Sequence, residues 1–205
     1  MTNFMQTGYY QDCYYHIYNR GVAKAPIFRD DQDYKNFLYR LKILLGIIPI
    51  PVRTRNNSIR LSPLPQNSFD LLTYCLMPNH FHFFFYQKTP VSLSALMHRL
   101  CTSYTKYFNK KYDRVGPLFQ SEFKDRLISN EAHFTYLSAY IHNNPIDPIS
   151  YEYSSIHNYL GTVNDQLVNT VNILNIFKGD RTKYRKFVLS FNKSDERRLG
   201  DLKID

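Results

Sequence analysis

Residues 77–86 read Met77-Pro78-Asn79-His80-Phe81-His82-Phe83-Phe84-Phe85-Tyr86, a short turn opening into an apolar β-strand with two histidines one residue apart. Strand side chains alternate between faces, so His80 and His82 point one way while Phe81 and Phe83 enter the opposite layer. Two imidazoles on one face of a greasy strand are costly to bury without a purpose. A shared metal ion is an economical explanation.

Outward from this strand, period and punctuation predict the other elements. Residues 9–19 alternate as a first strand, ended by the turn-like Asn19-Arg20-Gly21. Asp30 or Asp31 caps a helix to about Leu45, with Tyr34, Phe37, Leu38 and Leu41 at helical spacing. Residues 69–76 form a second strand, and Pro78-Asn79 turns the chain into the His strand, 80–87. Ser92 or Ser94 starts a long helix to about Tyr112, broken by Gly116-Pro117. Residues 118–128 read as a strand or hairpin arm, and Asn130 caps a further helix that Pro145 terminates. The order β-α-β-β-α-β-α predicts an α+β fold, a ferredoxin-like split β-α-β sandwich with an antiparallel sheet. Residues 47–68 carry Pro49, Pro51, Pro63 and Pro65 with Arg53, Arg55 and Arg60, an irregular basic insertion. After Pro148 come a short helix near 154–160, a polar linker, and a basic helix over about 181–191. The chain thus divides into a unit at 1–148 and a helical, basic extension at 149–205.

The helix at 131–144, Glu-Ala-His-Phe-Thr-Tyr-Leu-Ser-Ala-Tyr-Ile-His-Asn-Asn, places Tyr136, Tyr140 and Asn144 four residues apart on one face. Pro145 puts Asn144 at or just past its C-terminus, where free carbonyls and partial negative charge favour a cation. A divalent ion held by His80, His82 and the Asn144 amide oxygen would have Tyr140 one helical turn away.

Of 205 residues, 43% are hydrophobic, enough for one substantial core. No apolar run is long enough to span a membrane, and the N-terminal residues lack a basic-then-apolar signal pattern, so a cytoplasmic protein is expected. Cys13, Cys75 and Cys101 form no paired motif and read as reduced thiols. Lys and Arg outnumber Asp and Glu 26 to 17, and 18 Tyr and 15 Phe interleave with them. That balance suits single-stranded nucleic acid, where cations meet phosphates and rings stack on bases. Nothing points to a small-molecule substrate.

Met77-Pro78-Asn79-His80-Phe81-His82 resembles the HUH motif of single-tyrosine transposases (insertion-sequence 200-like), and Ala139-Tyr140-Ile141-His142-Asn143-Asn144-Pro145 resembles their tyrosine helix. Further matches are His16-Ile17-Tyr18-Asn19-Arg20-Gly21, Leu118-Phe119-Gln120, Tyr153-Ser154-Ser155 and Tyr159-Leu160-Gly161. The tail, Phe177 to Asp180 and Tyr184 to Phe187, is similar to that of the REP-associated subgroup. The resemblance implies a nuclease and strand transferase acting on single-stranded or hairpin DNA. By it, Tyr140 is the nucleophile, His80 and His82 bind Mg²⁺ or Mn²⁺, and Asn144 completes the metal site. The tail favours a monomer, with a homodimer as the alternative.

Arg20, Arg99, Lys106, Lys110, Lys111, Arg114, Lys124 and Arg126 are the candidate DNA contacts, with Lys183, Arg185 and Lys186 as additions. Two other classes fit the motifs: a hairpin-binding regulator that no longer cuts, and a replication initiator or relaxase of the wider HUH class. An unrelated metalloenzyme lacks further ligands on the strand.

Overall fold

A computed structural model describes residues 9–51, 61–129 and 131–192. Arg53, Arg55, Arg60 and the predicted cap Asn130 lie outside the described residues.

Four strands form one antiparallel sheet: β1 (Cys13–Arg20), β2 (Phe69–Met77), β3 (His80–Gln87) and β4 (Lys124–Ile128), in the spatial order β2-β3-β1-β4. Between them run α1 (Asp31–Leu44) and α2 (Leu93–Lys111). They are followed by α3 (Glu131–His142), α4 (Ile156–Leu160), α5 (Val171–Ile176) and α6 (Arg181–Ser190). This is the ferredoxin-like arrangement that the element order predicts.

Local chemistry sets the ends of α1. The Asp30 carboxylate accepts from the Asp33 amide at 3.1 Å, satisfying one of the unpaired donors of the first turn. At the other end Gly46 adopts φ +71°. Its amide bonds the Ile43 carbonyl and the Ile47 amide bonds Lys42, the Schellman pattern that a left-handed glycine permits.

The sheet separates two layers. Phe81 and Phe83 meet Phe37 of α1 at ring distances of 5.3 and 6.0 Å, and Tyr104 of α2 packs on Phe37 at 4.9 Å. On the opposite face, Phe84 and Tyr14 meet Phe134 of α3 at 5.1 and 4.8 Å. The histidines share that second face.

Three elements differ from expectation. The first strand begins at Cys13, because Asp12 takes a left-handed φ of 59°, and it continues through Arg20, which pairs with His80. The fourth strand is Lys124–Ile128 alone, while Phe119 makes only an isolated bridge to Gly21. The stretch read as polar linker contains α5, whose six residues bury only Ile173 and Leu174, too few turns to register as a period.

The C-terminal segments complete the core. The Leu76 amide bonds the Tyr153 carbonyl, and the Ser155 and Asn169 amides bond Tyr74 and Leu71, which covers the free edge of β2. Tyr136 of α3 packs on Phe187 of α6 at 5.7 Å. Fully buried His142 lies 2.8 Å from the Tyr184 hydroxyl and 2.7 Å from Ser155 Oγ. Burial, aided by His157, holds His142 down to about 3. A histidine depressed in the folded state stays neutral while the unfolded chain takes up a proton, so stability falls as pH drops below about 6.5. Chemical denaturation of His142→Gln at pH 7 and pH 5 checks this: the loss between the two should shrink by about 2 kcal/mol relative to wild type.

Candidate active site

The turn before β3 is held from three sides. Pro78 O accepts from the amides of Ile27 and Phe28, and Asn79 O accepts from Gly21. A Cβ on Gly21 would collide with the Ala25 carbonyl oxygen, so the close approach requires glycine. The Asn79 side chain donates to Lys24 O at 3.2 Å, and its Oδ1 lies 2.6 Å from His80 Nδ1.

The other ring nitrogen of His80, Nε2, lies 2.9 Å from Asn144 Oδ1. His82 is fully buried, with its ring perpendicular to that of His80 at 5.2 Å. Its Nε2 is buried with no hydrogen bond, and its Nδ1 lies 2.9 Å from Nε2 of His16. Tyr140, half-buried on α3, sets its ring edge-on to His82 at 5.5 Å and 87°. Asn143 Nδ2 donates to Ala139 O and Val188 O, tying the end of α3 to α6 beside Asn144. The structure therefore brings together His80, His82, Tyr140 and Asn144 within one chain.

Burial lowers His80, and Arg20 adds to it while Asn144 opposes. Burial, followed by His16, His80 and Arg20, holds His82 well below the ordinary histidine value. Both rings are neutral at neutral pH. With its Nδ1 proton on Asn79, His80 turns a lone pair toward the Asn144 oxygen, so two acceptors face each other at 2.9 Å. Turning the carboxamide would relieve this; so would a cation. Ligands at right angles on an ion with bonds of about 2.1 Å stand about 3 Å apart, so the donor set fits a metal. Among the described residues no three His, Cys, Asp or Glu side chains gather for one, which leaves the carboxamide as third protein donor.

Two participants escaped the sequence reading. Asn79 reads as a turn residue, yet it bonds His80. His16 reads as one of several alternating residues of β1, and its neighbour becomes visible only with strand register. His142, which the sequence reading leaves without a role, is engaged with Tyr184 and Ser155.

The candidate DNA contacts divide by face. Arg20 sits opposite His80, while Lys124 and Arg126 sit opposite Tyr18 and His16, so all three share the histidine face. Exposed Lys106 and Lys110 lie on α2, across the sheet. Several cations hold parts of the fold together, and Arg126 donates to Asp125 O. Arg99 donates to Ser62 O, Arg114 to Asn109 Oδ1 and Pro117 O. Lys111 bonds Asp30 and fully buried Asp33 at 2.7 and 2.8 Å. Lys183 faces Asp180 at 3.7 Å, while Arg185 and Lys186 are exposed on α6.

Asp33 also accepts from the hydroxyls of Tyr107 and Tyr112. Asp33→Ala, which strands these donors and the Lys111 charge, should cost about 2–4 kcal/mol in urea melts. Lys111→Met should cost less, since the carboxylate keeps its hydroxyl donors.

A family model described as "Transposase IS200 like" matches residues 9–144. None of the curated proteins matches the chain. Among solved structures, a REP-associated tyrosine transposase bound to a REP hairpin is 12% identical. It covers 82% of this chain and 98% of its own, with a TM-score of 0.52, a likeness of fold. A protein from Deinococcus radiodurans R1 assigned as a transposase is 13% identical, covering 70% and 97%, with a TM-score of 0.41.

Proposed function

This chain belongs to the IS200-like transposase family, and from that membership and the site geometry we propose a single-strand DNA endonuclease and strand transferase. Its substrates are hairpin-forming repeat sequences, and its intermediate is a 5′-phosphotyrosine at Tyr140. One observation carries the reading: His80 and His82 of β3 stand beside Tyr140 of α3 and Asn144 just past its end, with Asn144 Oδ1 2.9 Å from His80 and the Tyr140 ring 5.5 Å from His82.

The Tyr140 oxygen attacks a phosphodiester phosphorus, the bond from phosphorus to the 3′ oxygen breaks, and the 3′-OH leaves. A later 3′-OH attacks the phosphotyrosine and restores both groups, so no ATP is consumed. Nε2 of His80, Nε2 of His82 and Oδ1 of Asn144 are the atoms that would hold Mg²⁺ or Mn²⁺. Such an ion supplies charge neutralisation at the non-bridging phosphate oxygens. Arg20, beside His80, places a fixed positive charge on the same face. Lys124 and Arg126 extend that charge along the edge strand, where they can follow a phosphate backbone. Tyr140 stands against the histidines of its own chain, which supports a reaction in cis by a monomer over a swapped homodimer. The catalytic unit is 1–148, and the extension from 149 onward braces α3. Among the described residues no helix is long and apolar enough to cross a membrane.

A 3′-labelled hairpin oligonucleotide with Mn²⁺ tests this directly. Wild type should give a labelled adduct resistant to detergent, and Tyr140→Phe and His82→Ala should give none. Hairpin binding by wild type without adduct would assign the chain as a regulator instead. In salt titrations of single-strand binding, replacing both Lys124 and Arg126 with Ala should flatten the log–log slope by about 1.4, about 0.7 per lost phosphate contact. The Lys106→Ala, Lys110→Ala pair should leave the slope unchanged.

A further inference from the structure

His82 is the most deeply buried member of the site, and its useful atom is Nε2. A neutral imidazole holds one N–H and one lone pair, so whatever bonds Nδ1 decides what Nε2 offers. For His80 that decision belongs to Asn79, whose Oδ1 only accepts. For His82 the partner at Nδ1 is Nε2 of His16, at 2.9 Å. The two rings are parallel within 8° at 5.1 Å, and both are fully buried. Strand pairing fixes this meeting: His16 sits opposite Phe84, so His82 is its diagonal neighbour on the same face.

We infer that His16 is a positioning residue that accepts the Nδ1 proton of His82, so that His82 presents a bare Nε2 to the cation site. The inference rests on the proposed reading of His80, His82 and Asn144 as that site. In the opposite tautomer His16 would donate, and the Nε2 of His82 would carry the proton and have no ligand capacity. His16 is not itself a ligand, because its Nε2 is occupied by His82. Acceptors behind metal-bound histidines raise ligand basicity and lock the ring, and losing one typically weakens metal binding about 10- to 100-fold.

The test uses the full chain without DNA. Mn²⁺ binding, followed by the electron paramagnetic resonance signal of the free ion, should be about 10- to 100-fold weaker in His16→Leu. His16→Gln, whose Oε1 can accept, should restore most of it. Long-range ¹H–¹⁵N spectra of wild type should show His82 protonated on Nδ1, a signature that packing alone does not set. Wild-type Mn²⁺ affinity in a folded His16→Leu overturns the inference, as does an Nε2 proton on His82 in wild type. The spectrum remains decisive if the leucine variant fails to fold. Equal Mn²⁺ binding by wild type and His80→Ala would instead bring down the metal reading itself.

Discussion

Eight residues of β1 lie against eight of β3 so that Arg20 faces His80 and Tyr18 faces His82. A slip of one residue would turn both imidazoles into the layer of Phe37, Phe81 and Phe83, because side-chain direction on a strand has a period of two. The aromatic layer makes that slip prohibitive. Phe81, Phe83 and Phe85 are fully buried, and exchanging them for histidines would desolvate polar rings without partners while exposing hydrocarbon. The hydrophobic face of β3 thus holds the register that its polar face needs.

Burying His16 and His82 beside a half-buried His80 is costly, and the fold meets that cost with neutrality and directed hydrogen bonds. His82 is held well below its ordinary value chiefly by burial, so it contributes no charge to the interior. Each imidazole of the pair is bonded through Nδ1, to Asn79 or to His16. The two remaining Nε2 atoms turn toward α3, which brings Tyr140 and, just past its end, Asn144. A polar group left over after the fold has satisfied its neighbours is a strong structural pointer to chemistry.

Helix α3 is placed by the rest of the chain. Phe134 anchors its start on Tyr14 and Phe84, His142 ties its end to Ser155 and Tyr184, and Asn143 bonds Val188 of α6. The extension beyond Pro148 is therefore part of the same hydrophobic core, and it packs against the helix that carries Tyr140. The cations follow the same logic of position. Those on β4 and at Arg20 gather on the histidine face, while Lys111, Arg114 and Arg99 are engaged by acids and carbonyls that hold α2 in place.

Much was readable from residue order alone. The Phe/His alternation over 80–87, the Asp30 cap and the stripe from Leu93 to Phe108 each encode a local period, and local periods determine faces. The motifs around His80 and Tyr140 also marked residues that the fold brings together, since their chemistry is unusual where it stands. Element ends and α5 were less legible, because one left-handed residue or two buried side chains leave little pattern. What only the tertiary structure decided was who meets whom: His16 with His82, Asn79 with His80, Lys111 with Asp33, and Tyr140 with the histidines of its own chain. The first three pairings span 66, 1 and 78 positions of sequence, and Tyr140 stands 58 positions from His82. Residue type states what a side chain can bond, but strand register and helix packing choose its partner, and no single segment contains that information.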